Sequence, residues 1–546
     1  DELFSVVDRS LREESSDDAL SFSADDVALA IKRLKPGKGD GDSLFFSDHL
    51  INGGSTLNVF LSILFNCMLV HGYAPPVLLS SVLISIPKNV NASLNDSGNY
   101  RSIALCSSIT KLIDVIIINK CSTQLQTCDL QFGFKRGLST VMCTSVFKEV
   151  VSYYTNRNSE VYTVLLDASK AFDRVHFGKL FNILIERKMP ACIIRLLLDL
   201  YLRQSSCSRW NGVSTQSFTF LNGVKQGGVL SPILFTVYMD ELLIRLKTFG
   251  IGCYVNNCYA GALCYADDIS LLCPSLIGLN AMVKQCVDFA KEFNVIFNHK
   301  KTVALHFGKL SEISGSVCLN GNMIAWNCSA KHLGNFISCD MSDDIDCKYK
   351  NSCFIGSVNK LIGNFGHMYS HVKCKLFSSY CTSFYGSQMW RLSCKGLAKL
   401  CTSWQVAIRR LFCLPRTAHR WTLGPLHNAL HIRTQLELRT LSFLFKMAYC
   451  SNSLVNAVFK NALYDARSDL GFNIAFFRTH FGILSFTDLS VCRGRVIVKA
   501  ALTIEQEARV SVAKELLLCR DHLLDTDFDT DEIDVLIKIA LCDVFV

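Results

Sequence analysis

Nowhere among the 26 cysteines of this 546-residue chain do two stand three positions apart, so the CxxC halves of common zinc modules are missing. Cys253, Cys258 and Cys264 lie close together, with spacings that match no zinc ligand set. No signal peptide precedes the scattered cysteines. They read as reduced, small hydrophobic side chains of an intracellular protein of nucleus or cytoplasm, not a secreted one. Charge is missing from a second stretch: residues 50–87 hold no Lys, Arg, Asp or Glu. A membrane-spanning helix needs about 20 apolar residues. TLNVFLSILFNCMLV is shorter, carries Asn58 and Asn66, and is broken by HGYAPP. It reads as a buried helix, then a Pro-Pro turn and the strand VLISIP, with no membrane partner. An initiator Met is also lacking, and Asp1 reads as the start of a fragment or of a processed or partial frame. Internal repeats and low-complexity tracts are absent.

What is present is apolar and unevenly charged. Half of the residues are hydrophobic, enough for a large core and roughly two to four lobes. The formal charge is +9, but residues 351–450 hold thirteen Lys or Arg against one acid, Glu437. Tyr385, Trp390, Trp404 and Trp421 are interleaved with them. Cations with aromatic platforms suit a polyanion whose bases can stack. Lys373, Lys375, Arg409, Arg410, Arg416 and Arg420 are the nucleic-acid-binding candidates. The bland alternative is a solvated helical face over core tryptophans.

Along the chain, Ser23 and Asp26 form a capping box for a helix predicted to run to about Lys35, before the glycine-rich KPGKGDGD. From 76 to about 335 apolar strands alternate with amphipathic helices, an α+β pattern. VYTVLLDAS is a strand ending in an acid, and SPILFTVYMDELLIRLKTFG a helix with Ser231 as N-cap, Pro232 in its first turn and Gly250 at its end. Beyond 350 the pattern is largely helical, and the acidic stretch 521–534 reads as a solvated tail.

Chemistry concentrates in LCYADDISLLC, residues 263–273. Its flanks read as two strands of a hairpin with Asp267 and Asp268 at the turn. Desolvation and mutual repulsion make such a pair costly. Three other Asp-Asp pairs, at 17–18, 25–26 and 343–344, lie in polar settings; only this one is framed by apolar strands. A hard divalent cation would offset the charge, and Asp167, at the end of VYTVLLD, is the natural third carboxylate.

LLDASKAFDRV, NGVKQGGVLSPILF and YADD, in that order, resemble core motifs of reverse transcriptases, most closely those of non-LTR (LINE-type) retrotransposons. LISIPK, NYRSIAL, QFGFKRGLST, FNHKKT and AKHLGNFIS extend the resemblance over roughly residues 25–430. It implies that Asp167, Asp267 and Asp268 hold two Mg²⁺ ions, with Mn²⁺ as a substitute. It places Phe172 as the gate against a ribose 2′-hydroxyl. Gln226 and Gly227, with Tyr265 and Ala266, would line the nucleotide; Lys88 and Arg101 would clamp its triphosphate. Lys301 would serve the leaving pyrophosphate, and His332, Leu333 and Gly334 the primer end, although the family more often has Tyr where His332 stands. Asp173 has the plain alternative of pairing with a neighbouring cation.

The fold implied is a right-hand polymerase: a helical N-terminal extension (1–75), fingers and palm (76–335), a basic helical thumb (336–450) and a helical C-terminal extension with an acidic tail (451–546). The activity implied is addition of dNTPs to the 3′-hydroxyl of a DNA primer or nicked target, copying an RNA template. No upstream endonuclease and no CCHC knuckle is visible, so the chain would not nick its own target. An intron-encoded maturase fits the flanking motifs less well. A decayed or domesticated copy that binds RNA without polymerising is the reading from another class.

Overall fold

The computed structural model describes residues 20–40, 45–309, 315–417, 423 and 431–481. The described residues open with α1 (Ala24–Ile31), α2 (Ser47–Ile51), α3 (Gly54–His71) and α4 (Pro76–Leu79), then β1 (Ser80–Pro87), β2 (Tyr100–Cys106), α5 (Ser108–Lys120) and α6 (Thr140–Thr155). Next come β3 (Val161–Leu166), α7 (Phe177–Glu186), α8 (Ala191–Leu202), β4 (Ser205–Trp210), β5 (Val213–Ser214), β6 (Phe218–Thr219) and α9 (Ser231–Phe249). Small hairpin strands β7 (Tyr254–Val255) and β8 (Cys258–Tyr259) lead to β9 (Ala262–Tyr265), β10 (Asp268–Cys273), α10 (Leu276–Glu292) and β11 (Val303–Phe307). Five short strands follow: β12 (Val317–Leu319), β13 (Asn322–Ile324), β14 (Trp326–Asn327), β15 (Ser329–His332) and β16 (Asn335–Ser338). The described residues beyond 343 are mainly helical: α11 (Asp344–Phe365), α12 (Ser370–Tyr380), α13 (Lys395–Leu411), α14 (Ile432–Ala448), α15 (Ser453–Ala462) and α16 (Asp469–Phe481). The fold is α+β, with two main sheets and a helical side, as expected. The acidic stretch 521–534 lies outside the described residues.

Two sheets position everything else. One runs β2-β1-β4-β5, with β6 on β4; the other runs β14-β11-β3-β10-β9. Strand β3 is the middle of the second sheet, antiparallel to both β10 and β11. Val161, Val164, Leu165 and Leu166 are buried, as a central strand covered on both faces requires. Helices α6 and α10 pack against this sheet.

Local signals and tertiary context disagree at three places. The capping box holds, with Ser23 Oγ accepting from Asp26 N–H and Asp26 from Ser23 N–H, but α1 ends at Ile31, short of Lys35. Helix α9 begins one residue earlier than its sequence suggests: Leu230 is the N-cap, and Ser231 is inside the helix and buried. The approach to the helix is held from afar instead, because Asp114 Oδ2 on α5 accepts from Val229 and Leu230 N–H, both at 3.2 Å. A carboxylate arriving from another helix leaves no mark next to the cap. Gly250 ends α9 as expected, at φ 74° with its N–H on the Leu246 carbonyl.

The apolar helix α3 is the third correction. It is not enclosed: Leu61, Phe65, Met68 and Leu69 face inward, while Val59, Phe60, Ile63 and Val70 are exposed. By length and composition alone it is long enough to cross a membrane. Asn66, on its inner face, accepts Phe22 N–H and donates to the Phe22 carbonyl, each at 2.8 Å, tying α3 to the segment that enters α1.

The tryptophans expected to interleave with bases belong to the core. Trp390 is 2% exposed and Trp404 0%, and the Trp390 indole donates to Asp346 Oδ2 at 2.8 Å. Trp421 and Arg420 lie outside the described residues; Tyr385 is half exposed. The bland alternative wins for these two rings.

The C-terminal helices dock on α6 through buried charge. Lys148 Nζ sits 2.7 Å from both Asp343 and Asp469; burial works against its charge, and the double pairing outweighs burial and raises its pKa. The neighbouring Glu149, buried, accepts the Leu470 N–H at the start of α16, and burial pushes its pKa up from 4.5 to about 7. The folded state therefore holds this proton more tightly than the unfolded chain, so stability falls as pH rises between about 4.5 and 7. The charge costs up to about 3 kcal/mol above that window. Glu149→Gln should raise the unfolding midpoint at pH 8, with a gain that shrinks towards zero below about pH 4.5. Thermal or urea unfolding across that range measures it, and a pH-independent effect would contradict the assignment.

Candidate active site

The site is built by register. Leu166 on β3 pairs with Ile269 on β10, so the next step along the ladder sets Asp167 across from Asp268. On the other side Leu165 pairs with Val303 on β11, Asn298 N–H donates to the Asp167 carbonyl at 2.8 Å, and the turn between them carries Lys301. Lys301 Nζ lies 3.8 Å from Asp167 Oδ2. Tyr265 pairs with Asp268 across the hairpin, so Ala266 and Asp267 form a two-residue loop, with Ala266 at φ 61°. Three carboxylates and one ammonium thus converge from three adjacent strands.

This concentration of acid shows in the titration of the pair. Burial first, then repulsion from Asp267 and Asp167, pushes Asp268 up to about 6, with Lys301 opposing. Burial also raises Asp267, followed by repulsion from Asp167, while Arg101 opposes. The set is all oxygen and over-charged for its cations, which is the donor chemistry of a hard divalent ion. Among the described residues no three His, Cys, Asp or Glu side chains are already drawn together as metal ligands.

The carboxylates open on a cavity of about 1300 Å³. Lys88 and Arg101 reach it from the other sheet, at the end of β1 and on β2, and Phe172, Gln226, Gly227 and Lys301 also line it. Lys88 Nζ donates to the Gly98 carbonyl at 3.0 Å, and Lys88 and Arg101 are both exposed to the cavity. Phe172 is braced from behind, stacked on Phe235 of α9 with centroids 4.3 Å apart, and edge-on to Phe134 at 6.4 Å. The Gln226 carbonyl accepts Ala104 N–H at 2.6 Å. Gly227 has φ 114°, and a Cβ there would lie 2.5 Å from the Ala104 carbonyl, so only glycine permits this approach. Gln226 Nε2 donates to Asp173 Oδ1 at 3.4 Å, so Asp173 has a partner besides its neighbouring cations. Tyr265 is half-buried and Ala266 buried; neither is among the cavity-lining residues.

Two sequence assignments need correction. His332 is buried, its Nε2 3.1 Å from Ser270 Oγ and its ring against Phe147. Burial lowers its pKa to about 4, so it is a neutral core imidazole and not a side chain that touches a primer. Leu333 and Gly334, both at positive φ, form the turn after it, and Gly334 packs on Tyr385 so closely that a Cβ would come within 2.9 Å of the ring. Lys373 is also buried, with Nζ donating to the Leu411 carbonyl at 3.0 Å; it caps the end of α13 and is not free for a phosphate.

The other basic candidates are on the surface: Lys375, Arg410 and Arg416 are exposed and Arg409 half-buried, with Arg410 bonded to Asn359 Oδ1 at 2.9 Å. None lines the active cavity or the second cavity, of about 1270 Å³, between residues 118–142 and the helical side. That second space is lined instead by Arg136, Arg439 and Lys446, and Phe134 borders both cavities. Sequence reasoning missed these cations as a group, because Arg136 is some 300 residues from its companions; the motif QFGFKRGLST was the one available signal.

Replacing Asp167 by Asn removes one of the like charges facing Asp268. The Asp268 midpoint, read by carboxyl NMR in metal-free protein, should then fall below about 6, while burial and Asp267 keep it above the ordinary carboxylate range. An unmoved midpoint would mean that the two acids do not face each other.

A family model described as reverse transcriptase (RNA-dependent DNA polymerase) matches residues 86–341. The chain is 27% identical over 236 residues to the Pol polyprotein of the type-2 retrotransposable element R2DM of Drosophila melanogaster, covering 43% of this chain and 22% of that protein. It is 27% identical over 293 residues to the RNA-directed DNA polymerase from the mobile element jockey of the same organism (50% and 30% covered). With the polymerase from its transposon X-element it shares 23% over 442 residues (76% and 46% covered). The chain thus spans from about a fifth to a half of the length of these relatives. A solved apo telomerase from Candida tropicalis is similar at 11% identity and a TM-score of 0.38, covering 79% of this chain and 69% of that one. The acidic hairpin, the third carboxylate and the flanking cations of the cavity all lie within residues 86–341, the stretch that matches the reverse transcriptase model, in a chain similar to the polymerases of retrotransposable elements.

Proposed function

We propose that the chain extends a DNA primer with dNTPs on an RNA template, the primer being the 3′-hydroxyl of a nicked target and the template a retrotransposon transcript. The observation that carries this reading is that Asp268 and Asp167 of one sheet, with Lys301 from the turn before β11, face Lys88 and Arg101 of the other sheet across a single cavity. Acid on one wall and cation on the opposite wall suit a substrate that presents a hydroxyl at one end and a triphosphate at the other.

Lys88 and Arg101 take the triphosphate oxygens, where ammonium and guanidinium charge strengthens each hydrogen bond. Phe172 lies under the sugar. Stacked on Phe235, its ring cannot swing away, and this rigidity would exclude a 2′-hydroxyl. Gly227 lets backbone approach the nascent pair closely, since no Cβ intervenes. Asp167, Asp267 and Asp268 are the residues that would hold two divalent cations, Mg²⁺ or Mn²⁺, whose chemistry when bound is to acidify the primer hydroxyl and neutralise the leaving oxygens. Lys301, 68% exposed and beside Asp167, would protonate the departing pyrophosphate. The chain would act inside the cell, in nucleus or cytoplasm.

Primer extension by the purified chain on an RNA template, with dNTPs and Mg²⁺, tests the reading. Asp267→Ala combined with Asp268→Ala should lower the rate by at least about 10³-fold with folding intact. Phe172→Ala should raise incorporation of rNTPs relative to dNTPs by about tenfold or more. A folded wild-type chain that binds RNA and extends nothing would leave a non-catalytic RNA-binding protein in place of the polymerase.

A further inference from the structure

The motif QFGFKRGLST is assigned no part in the chemistry above, yet its first residue sits directly behind the catalytic turn. Ala266 is the first residue of a two-residue hairpin loop and has φ 61°, a position where such loops favour glycine and a Cβ is strained. Something must hold it there. Gln131 is 0% exposed, and its carboxamide meets both backbone groups of Ala266. Oε1 accepts from Ala266 N–H at 3.0 Å and from Gly133 N–H at 2.8 Å. Nε2 lies 3.4 Å from the Ala266 carbonyl and 3.3 Å from Cys264 Sγ. The amide orientation follows from its partners, because two N–H groups can donate only to the oxygen.

The surrounding backbone makes this contact possible. Residues 130–132 add to the outer edge of β9: Cys264 N–H donates to the Leu130 carbonyl at 2.9 Å and Phe132 N–H to the Cys264 carbonyl at 2.8 Å. Gly133 then passes so close that a Cβ on it would lie 2.4 Å from the Ala266 nitrogen. The segment is therefore shaped around this one residue of the turn.

We infer that Gln131 is a positioning residue: by bonding both backbone groups of Ala266 it holds the strained turn and so sets the direction in which Asp267 and Asp268 project. The catalytic consequence rests on the polymerase reading above; the mechanical consequence does not. A misplacement of about 1 Å at a reacting centre costs on the order of 10²-fold in rate.

The test uses the whole chain with Gln131→Met, which keeps the length of the side chain and removes the amide. Without metal, template or substrate, the Ala266 amide should exchange its hydrogen at least about tenfold faster, with the β3 amides unchanged. In primer extension, kcat should fall about 10²-fold, KM for dNTP should stay within about twofold, and more Mg²⁺ should be needed for half the maximal rate. Adding Ala266→Gly, which adopts positive φ freely, should recover at least about tenfold of the lost kcat. Recovery by glycine is the outcome that a merely structural glutamine would not give. If Gln131→Met does not fold, Gln131→Asn, which draws the amide back by one methylene, gives the same readouts. Unchanged exchange at Ala266, or a loss of kcat that glycine does not recover, overturns the inference. A wild-type chain that extends no primer removes the polymerase reading, and exchange at Ala266 then decides this one alone.

Discussion

The rest of the structure depends on the hydrogen-bonded register of β3 between β10 and β11. A one-residue slip of either neighbour would turn its side chains to the opposite face, and Asp167 would lose either Asp268 or Lys301. The ladder is held in place by what lies below the acids. Val164, Leu165 and Leu166 on β3, Ile269 and Leu271 on β10 and Leu305 on β11 are buried, and each contributes about 1.5–3 kcal/mol by leaving water. Against this stands the cost of the acids, about 3 kcal/mol for Asp268 given its rise to about 6. The apolar interior of three strands thus offsets the cost of an acidic rim.

A second constraint joins the two sheets. The segment 223–230 is bonded on one side to the residues that carry Phe172: Val224 N–H to the Phe172 carbonyl and Gly223 N–H to the Val175 carbonyl, both at 2.9 Å. On its other side it is bonded to the Ala104 N–H of β2 and, through Val229 and Leu230, to Asp114 of α5. Burial pushes Asp114 up to about 6 while those two amides pull it down, the balance of a group kept for its hydrogen bonds despite its desolvation. One loop therefore couples the walls that bear Lys88 and Arg101 to the wall that bears the aspartates, with Phe172 between them.

Positive charge is distributed by a different rule. A lysine on a helix face can cap a neighbouring helix as well as it can meet a phosphate, and Lys373 does the first. Lys148 spends its charge on two aspartates at once, fastening α6 to the approach of α11 and to the start of α16. The cations that line the second cavity, Arg136, Arg439 and Lys446, come from two distant parts of the chain. Local density of Lys and Arg thus holds two of these cations, Arg439 and Lys446, and misses the third, Arg136.

The residues of the catalytic hairpin were legible in order: alternating burial, turn position and the oddity of two acids in an apolar frame are local properties, and so is the strand that ends in Asp167. The capping box of α1 and the glycine that ends α9 were legible for the same reason. The true cap of α9 was not, because Asp114 reaches it from α5, 115 residues away from the amide it accepts. The fate of His332, Lys373, Trp390 and Trp404 was not legible either, since burial is set by what packs against a side chain and not by its neighbours in sequence. The outer face of α3 misled for the converse reason: an uncharged run looks buried whether or not anything covers it. By itself the sequence determined which residues could do the chemistry and that they sit at strand ends and turns, because those follow from spacing and residue type. Only the tertiary structure decided which of them meet, since that rests on the pairing of strands more than 100 residues apart.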